Sequence, residues 1–331
     1  MLRRRSPQAS FYGEHIYDRV IPEDHFLKLL NKTVDFSFVN GLCRDAYTPD
    51  YGRPAYGLEM MFKIIFLQFL YNVSDRRIEE EVNFNLVLKW FVGLAIDESP
   101  PDASSLTRFR ERLGEERFAT IFNQVVEIAR EKGLVSGRLS IVDSTDVKAK
   151  VDTFKVKDNP EAAPDKDARH GYKSEKKSFF GYKAHASMDS DSDIITKLAT
   201  TPGNAHDGKE FLKVVDTQSR MTTADKAYDS NKNHCLLKKK KTISAIIVKN
   251  NRKDPRLRKH QMKPEIMSAQ KERPRIERKF AELKRFHGLK EARYWGLAKM
   301  AIQFTMTAIA CNLKRMVKLL FPRPRVKYAQ I

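Results

Sequence analysis

The spacing of apolar residues changes near Gly137, and this change limits the kinds of secondary structure that each half of the chain can form. Before it, the segment from Gly57 to Leu94 repeats apolar residues at helical intervals. After it, short β-rich runs such as LSIVDST, residues 139–145, are separated by helical segments. The sequence therefore predicts an all-α N-terminal domain, residues 1–136, followed by an α/β domain, residues 137–331.

The order of elements in the second half narrows its fold. Three strands come first, and GYKAHASM and DIITKLATT form a hairpin across the turn DSDSD; strands and helices then alternate. This succession predicts a mixed sheet flanked by helices, the arrangement of the ribonuclease H fold. Residues at about 147–180 carry many charges and two prolines, so they predict a mobile loop. Tyr294 to Leu320 predict a long C-terminal helix.

The charge of the chain indicates its partner. With 62 Lys and Arg against 42 Asp and Glu, the formal net charge is +20, which a folded protein carries most readily when a polyanion neutralises it. Nucleic acid is therefore the predicted partner. No membrane partner is expected, because no run of about 18 uncharged apolar residues appears and the N-terminus lacks an export signal. Three scattered cysteines favour a cytoplasmic protein without structural zinc.

Two aspartates lie in or directly after predicted strands, near the end of the sheet where such folds bind ligands. Asp143 interrupts the buried strand IVDST, where an aspartate is costly unless a partner compensates it; the alternative is a cap for a turn at the strand end. Asp225 closes the strand MTTAD, and side chains at the C-terminal ends of neighbouring strands converge on one crevice. The alternative role of Asp225 is to cap the next helix, although Asp229 or Ser230 fits that role better.

A glutamate lies early on a strongly basic helix near the end of the chain. Glu277 and Lys284 are seven residues apart, about two turns, and share the border of the apolar face. That face consists of Ile276, Phe280, Leu283 and His287. Alone, Glu277 would be a surface residue in a salt bridge. Grouped with two aspartates, it completes a set of hard oxygen ligands for two Mg²⁺ ions. Such a pair would stabilise the attacking and leaving oxygens of a displacement at phosphorus.

Several blocks of the sequence, weak singly and specific in combination, resemble one family. In the first half they are IPEDHFLKLL, the segment from Tyr51 to Leu94, and PPDASSLTRFRERL. In the second half they are IVDSTDVKAK, GYKAH, TPGNAHD, ADKAYDS and IERKFAELKR. By these blocks, nearly the whole chain resembles the DDE transposases of bacterial insertion sequences, and is most similar to the insertion-sequence-five type.

The resemblance assigns roles to the carboxylates. Asp143 and Asp225 would be the two metal-binding, catalytic aspartates and Glu277 the third carboxylate, with Asp146 as a nearby alternative to Asp143. The implied cofactors are two Mg²⁺ ions, with Mn²⁺ as a substitute, and no organic cofactor is expected.

The resemblance also implies the reaction. Metal-activated water would cut double-stranded DNA at the ends of the element, and the exposed 3′-hydroxyl would attack target DNA without a covalent enzyme intermediate. Holding two ends together implies a homodimer or a larger synaptic complex, in a bacterial cytoplasm and associated with the nucleoid. Two alternatives stay open: an inactive transposase-derived DNA-binding regulator, and a ribonuclease H-like nuclease that cuts without joining.

Basic residues are the candidate DNA contacts. The family pattern Y-x2-R-x3-E-x6-K places Arg273 and Lys284 near the cut, and Lys226 directly follows Asp225. In the helical half the candidates for phosphate or base contact are Arg76, Arg77, Arg108, Arg110 and Arg112. The alternative for each of these arginines is a position on a solvated helix face.

Two positions depart from the family pattern. Gln270 stands where the family has tyrosine, and Ala227 stands where the family has glycine in the block ADKGYDS. The first change is expected to loosen a DNA contact, and the second to restrict the turn after Asp225. Neither change removes a metal ligand.

Overall fold

The chain folds into two compact units. The computed structural model describes residues 11–48, 55–152, 156, 163–174 and 177–322. Among these residues, the first unit contains three segments: the residues up to Gln68, Val73–Arg112, and the residues from Asn312 onward. The second unit contains Phe69–Asn72 and Leu113–Cys311. The domain boundary at residue 136 stays a prediction. By their packing, residues 113–136 belong to the second unit.

Helices in the first part of the chain begin and end where the sequence supplies caps and breaks. They are α1 Phe11–Val20, α2 Phe26–Thr33, α3 Phe38–Cys43, α4 Leu58–Tyr71, α5 Asp75–Phe84, α6 Leu86–Val92 and α7 Ala103–Glu131. Ser74 caps α5, because its side chain accepts a hydrogen bond from the Arg77 N–H at 3.2 Å. Gly114 interrupts α7 with a φ of 66°, so two helical segments meet there at a kink.

Aromatic side chains form the centre of the first unit. Phe36 packs against Phe62, Phe66 and Phe91 with ring centroids 5.9 to 6.2 Å apart. The buried ammonium of Lys63 lies 5.3 Å from the Phe36 ring centroid and 5.1 Å from that of Phe91. Two of these phenylalanines, Phe62 and Phe66, come from α4. The sequence of α4 is almost entirely apolar because the helix packs in this buried centre.

A mixed sheet forms the second unit. Its strands are β1 Leu139–Lys148, β2 Arg169–Ser174, β3 Lys177–Asp189, β4 Ile195–Pro202, β5 Met221–Ala224 and β6 Ile243–Ser244. The strand order is β2-β3-β1-β5-β6, and β4 also pairs with β3. β3 is antiparallel to β1, β2 and β4, whereas β5 is parallel to β1 and β6. The predicted mixed sheet and the predicted β3-β4 hairpin are confirmed.

One glycine lets three strands meet. At Gly181 the partner of β3 along one edge changes from β2 to β4. Gly181 has a φ of 154°, and a side chain there would overlap the carbonyl oxygen of Val147 and the nitrogen of Ala149. The glycine of GYKAH is therefore required by the close approach of β1.

Helices cover both faces of the sheet. They are α8 Asp207–Val214, α9 Asn231–Lys239, α10 Pro255–Gln261, α11 Pro264–Lys271, α12 Pro274–Phe286 and α13 Leu297–Leu320. Val142 and Ala224 pack in one cluster with Phe211 of α8 and Leu237 of α9. Since successive strand residues point to opposite faces, Asp143 points to the other face, where α12 contacts β1. The predicted C-terminal helix is present, and no helix among the described residues has the length and apolarity to span a bilayer.

Part of the segment predicted as a mobile loop is strand instead. Within residues 147–180, β1 continues to Lys148, β2 occupies Arg169–Ser174 and β3 begins at Lys177; residues 153–155, 157–162 and 175–176 lie outside the described residues. β2 escapes the sequence pattern because it is an edge strand that pairs only with β3.

Candidate active site

The pairing of β1 with β5 brings two aspartates together. The two strands run parallel, and Val142 is the partner of Ala224. Asp143 and Asp225 are the next residues on each strand, so they stand side by side, since neighbouring strands lie about 4.8 Å apart. Asp225 accepts a hydrogen bond from the Lys226 N–H and caps a single 3₁₀ turn, while Ser230 caps α9.

Helix α12 adds the third carboxylate through an arginine. The Arg273 Nη1 lies 2.9 Å from Asp143 Oδ2, and its Nη2 lies 3.0 Å from Glu277 Oε1. Arg273 is the N-cap of α12, and Pro274 occupies the first turn, where proline is favoured. One guanidinium therefore joins a strand carboxylate to a helix carboxylate.

The three carboxylates share one electrostatic neighbourhood. The Asp143 side chain is 17% exposed, whereas that of Glu277 is 56% exposed. The pKa of Asp143 is raised to about 6, chiefly by burial. The carboxylates of Asp225 and Glu277 also raise this pKa, whereas the Ser144 N–H and the Arg273 guanidinium lower it. Asp143 is therefore a carboxyl group whose charge needs a cation beside it.

This donor set fits a divalent metal ion. Carboxylate oxygens are the ligands that Mg²⁺ prefers, and Asp225 and Glu277 both lie near enough to Asp143 to raise its pKa. The Arg273 guanidinium already bridges two of the three groups as a cation, which shows that positive charge is stabilised at this point. Asp146, the alternative to Asp143, pairs with Lys284 at 2.8 Å between its Oδ1 and the Lys284 Nζ.

The two departures from the family pattern lie close to the site. Gln270 donates through its Nε2 to the carbonyl oxygen of Ala245 at 3.3 Å. Ala227 lies in the 3₁₀ turn Lys226–Tyr228, and the described non-glycine residues with positive φ are Asn72, Asp193 and Lys241. Alanine therefore fits this turn, and the expected restriction after Asp225 stays a prediction.

A polar network beside β1 was missed by sequence reasoning. Lys183 lies opposite Asp146 across the β1-β3 pair, and its Nζ contacts Asp207 Oδ1 at 2.9 Å. The neighbouring His185 is fully buried, and its Nε2 lies 2.8 Å from Thr201 Oγ1. Burial lowers the pKa of His185 to about 4, so the imidazole is neutral at physiological pH. The sequence offered one indication of this network. The blocks GYKAH and TPGNAHD, which contain its residues, matched the family pattern but had no role assigned to them.

The candidate DNA contacts differ in accessibility. Arg110 is buried: its guanidinium contacts both carboxylate oxygens of Asp75, and its Nη1 donates to Gln68 Oε1 at 3.2 Å. Its assignment as a DNA contact is therefore wrong, because a guanidinium inside a buried ion pair does not reach a phosphate. The sequence shows a basic face but not the partner Asp75, which is 35 residues away.

The other candidates present charge at the surface. Arg108 is 69% exposed, and Arg112 is exposed with its guanidinium 4.6 Å from the Tyr47 ring centroid. Arg77 is engaged by Glu80 and Glu81, whereas Arg76 is exposed. Beside the carboxylates, Lys226 is exposed and donates to Asn250 Oδ1 at 3.1 Å.

Comparison with known proteins gives two family matches. Residues 15–112 match a model described as a transposase domain (DUF772), and residues 136–313, more than half of the chain, match a model described as a transposase DDE domain. Among solved structures, the chain is similar to a piggyBac transposase in a synaptic complex with hairpin DNA, with 12% identity and a TM-score of 0.41, over 94% of this chain and 76% of that one. At that TM-score the likeness carries no further conclusion.

The raised pKa of Asp143 predicts an unusual pH dependence. Folded Asp143 keeps its proton to about pH 6, whereas the unfolded chain loses it near the ordinary aspartate pKa, so this group makes the free energy of unfolding fall as pH rises between the two. We expect Asp143→Asn, measured by urea unfolding in EDTA, to be more stable than the parent at pH 7, by up to about 3 kcal/mol, and equal to it near pH 4.

The control for this measurement is Asp191→Asn. Arg138 holds the pKa of Asp191 down at about 2, so this substitution should lower the stability at pH 7. Adding Mg²⁺ should stabilise the parent and not Asp143→Asn, because a metal bound only by the folded state stabilises that state. A less stable Asp143→Asn in EDTA at pH 7 would contradict the account of this carboxyl group.

Burial of Arg110 predicts a structural effect of its removal. Arg110→Ala leaves Asp75 without its guanidinium, and breaking a buried pair costs about 3 kcal/mol or more. The matched variant Arg108→Ala removes an exposed arginine from the same helix and should change stability by no more than about 0.5 kcal/mol. Urea unfolding followed by tryptophan fluorescence measures both; a stable Arg110→Ala with weakened DNA binding would restore Arg110 as a DNA contact.

Proposed function

The chain belongs to the DDE transposases, and we propose that it binds the terminal inverted repeats of an insertion sequence of the insertion-sequence-five type, cleaves DNA at the element ends and joins the 3′-hydroxyl ends to target DNA. Enzymes of this family are metal-dependent polynucleotidyl transferases that act on DNA. The observation that supports the proposal most strongly is that one guanidinium pairs with Asp143 and Glu277, while Asp225 lies close enough to Asp143 to raise its pKa. Neighbouring carboxylates can hold the metal ions that catalyse a displacement at phosphorus.

Asp143, Asp225 and Glu277 are the proposed metal ligands. DDE transposase domains use divalent metal ions, generally Mg²⁺, and we propose two ions here, with Mn²⁺ as a substitute. When bound, such ions activate water as a nucleophile and stabilise charge on the phosphoryl oxygens. The chain itself fixes the ligand positions, because two of the three carboxylates come from paired strands and do not depend on a mobile segment.

Cations on α12 and beside Asp225 are proposed to hold the DNA backbone at the cut. Arg273 and Lys284 are both partly exposed, at 21% and 25%, and both already contact an acidic side chain. A phosphate offers the same kind of acceptor as those carboxylates, so each cation can exchange one for the other. Lys226 is exposed directly beside Asp225 and is proposed to contact the same strand.

The helical N-terminal part is proposed to read the terminal repeats. Arg108, Arg112 and Arg76 are exposed on its helices and stay candidates for phosphate or base contact. Because two ends must be held together during joining, we propose that a homodimer or a larger synaptic complex is the active form. We also propose that the host is bacterial and that the protein acts on the nucleoid in the cytoplasm.

A strand-transfer assay tests the function against its two alternatives. The chain is mixed with Mg²⁺, a labelled duplex carrying the inverted repeat that flanks its gene, and a target plasmid. Joined product supports the transposase. Cut product without joining would indicate a nuclease, and binding without cutting would indicate a DNA-binding regulator.

Substitution of the three carboxylates separates chemistry from binding. Asp143→Ala, Asp225→Ala and Glu277→Gln should each abolish cleavage while leaving end binding in a gel-shift assay largely intact, because each removes a metal ligand and no cation. The matched control is Glu265→Gln, which removes a surface carboxylate, paired with Arg220, from the neighbouring helix α11 and should cleave like the parent. Retained cleavage in one of the three would remove that residue from the metal site.

A further inference from the structure

A basic segment lies beside Asp225, on the side away from α12. Beyond β6 the chain continues parallel to β5, since the Ile247 N–H donates to the Ala224 carbonyl oxygen at 3.0 Å. The Lys249 N–H then donates to Asp229 Oδ2 at 2.9 Å, and Asn250 Oδ1 accepts from Lys226. Residues 249–258, here called the basic rim, therefore start at the same end of the sheet as the carboxylates.

The basic rim is held in shape by contacts of its own. Arg258 donates through Nη2 to the Asn250 carbonyl oxygen and through Nε to that of Arg252, both at 2.8 Å. Arg252 reaches back to Asp229, with its Nη1 3.1 Å from Asp229 Oδ1. Asp254 caps the helix that ends the rim, α10. A surface that is already ordered loses little conformational entropy when it binds a ligand.

The charge of the basic rim is almost entirely positive. Residues 249–258 hold five lysines and arginines against one acid, Asp254, which is used as a helix cap. Lys249, Lys253 and Arg256 are exposed. The segment contains no aromatic residue that could stack on a base. Exposed cations without aromatic side chains favour the phosphate backbone of DNA over its bases.

Cations therefore flank the carboxylates on two sides. Arg273 and Lys284 approach from α12, against β1, whereas the basic rim follows β6 on the far side of β5. Joining requires two DNA molecules at one set of carboxylates: an element end of fixed sequence and a target of variable sequence. Resting on the proposed function, we propose that the basic rim binds the target DNA, while the cations of α12 hold the element end.

The choice of target over element end follows from the chemistry of the rim. A target is bound without a fixed sequence, so its affinity must come from phosphate contacts that any duplex offers. The exposed side chains of Lys249, Lys253 and Arg256 supply such contacts in series along one ordered segment. Base-specific recognition is assigned in the proposed function to the helical N-terminal part, so the rim is the surface left for contacts that do not depend on sequence.

A pair of triple variants tests the proposal. The rim variant carries Lys249→Ala, Lys253→Ala and Arg256→Ala, none of which supplies a side chain that holds the rim in shape among the contacts described above. The control carries Lys238→Ala, Lys239→Ala and Lys240→Ala, which remove the same charge from exposed lysines at the opposite end of β6. Each protein is assayed with pre-cleaved element ends and a target plasmid, and separately for binding of a random-sequence duplex and of an element-end duplex at several salt concentrations.

We expect the fraction of pre-cleaved ends that is joined to the target plasmid to fall about tenfold or more in the rim variant and to stay at the parent value in the control. For the random duplex, the slope of log affinity against log salt should decrease by about 2.7 in the rim variant, since each phosphate contact contributes about 0.9. Random-duplex binding that matches the control, or a larger loss for the element end than for the random duplex, would overturn the proposal. Absence of cleavage and joining by the parent would refute the proposed function instead, and random-duplex binding would still decide the role of the rim.

Discussion

The parallel pairing of β1 with β5 is the constraint on which the site depends. Once Val142 lies opposite Ala224, Asp143 and Asp225 must leave adjacent strands at one level, although 82 positions separate them in the sequence. The antiparallel partner β3 fixes β1 on its other edge, so the strand that carries Asp143 is held from both sides. Burial of the apolar residues beneath the sheet thus also positions the carboxylates, and the same packing energy serves stability and chemistry.

Burial of Asp143 has an electrostatic cost that the rest of the site offsets. Desolvation raises the pKa of this carboxyl to about 6, and the Arg273 guanidinium opposes the shift without cancelling it. A carboxyl group in that condition favours any cation able to approach it, and a small divalent ion offers more charge at shorter range than a guanidinium. The same environment that weakens the folded chain would therefore strengthen its affinity for the proposed metal ion, a common trade between stability and function.

Sequence reasoning identified the parts of the fold that local patterns encode. The strand run at Leu139 and the β3-β4 hairpin both follow from periodicity and turn residues, which act over a few residues. Features that depend on distant partners were missed. Arg110 has the local sequence of an exposed basic helix, yet Asp75 draws it inside. β2 has the composition of a loop, yet β3 supplies its backbone hydrogen bonds.

The short block ADKAYDS shows why local motifs and tertiary contacts have to be read together. Its first aspartate, Asp225, joins the carboxylates, whereas its second, Asp229, is buried 4 residues later and accepts hydrogen bonds from His234, Lys249 and Arg252. Had Asp229 served only as a helix cap, nothing in the block would connect it to the basic rim. Because Asp229 anchors the rim and Asp225 belongs to the proposed metal site, a single tight turn links that proposed site to the positive surface beside it. A change in that turn would therefore displace both together, and Ala227 occupies the turn without a positive φ.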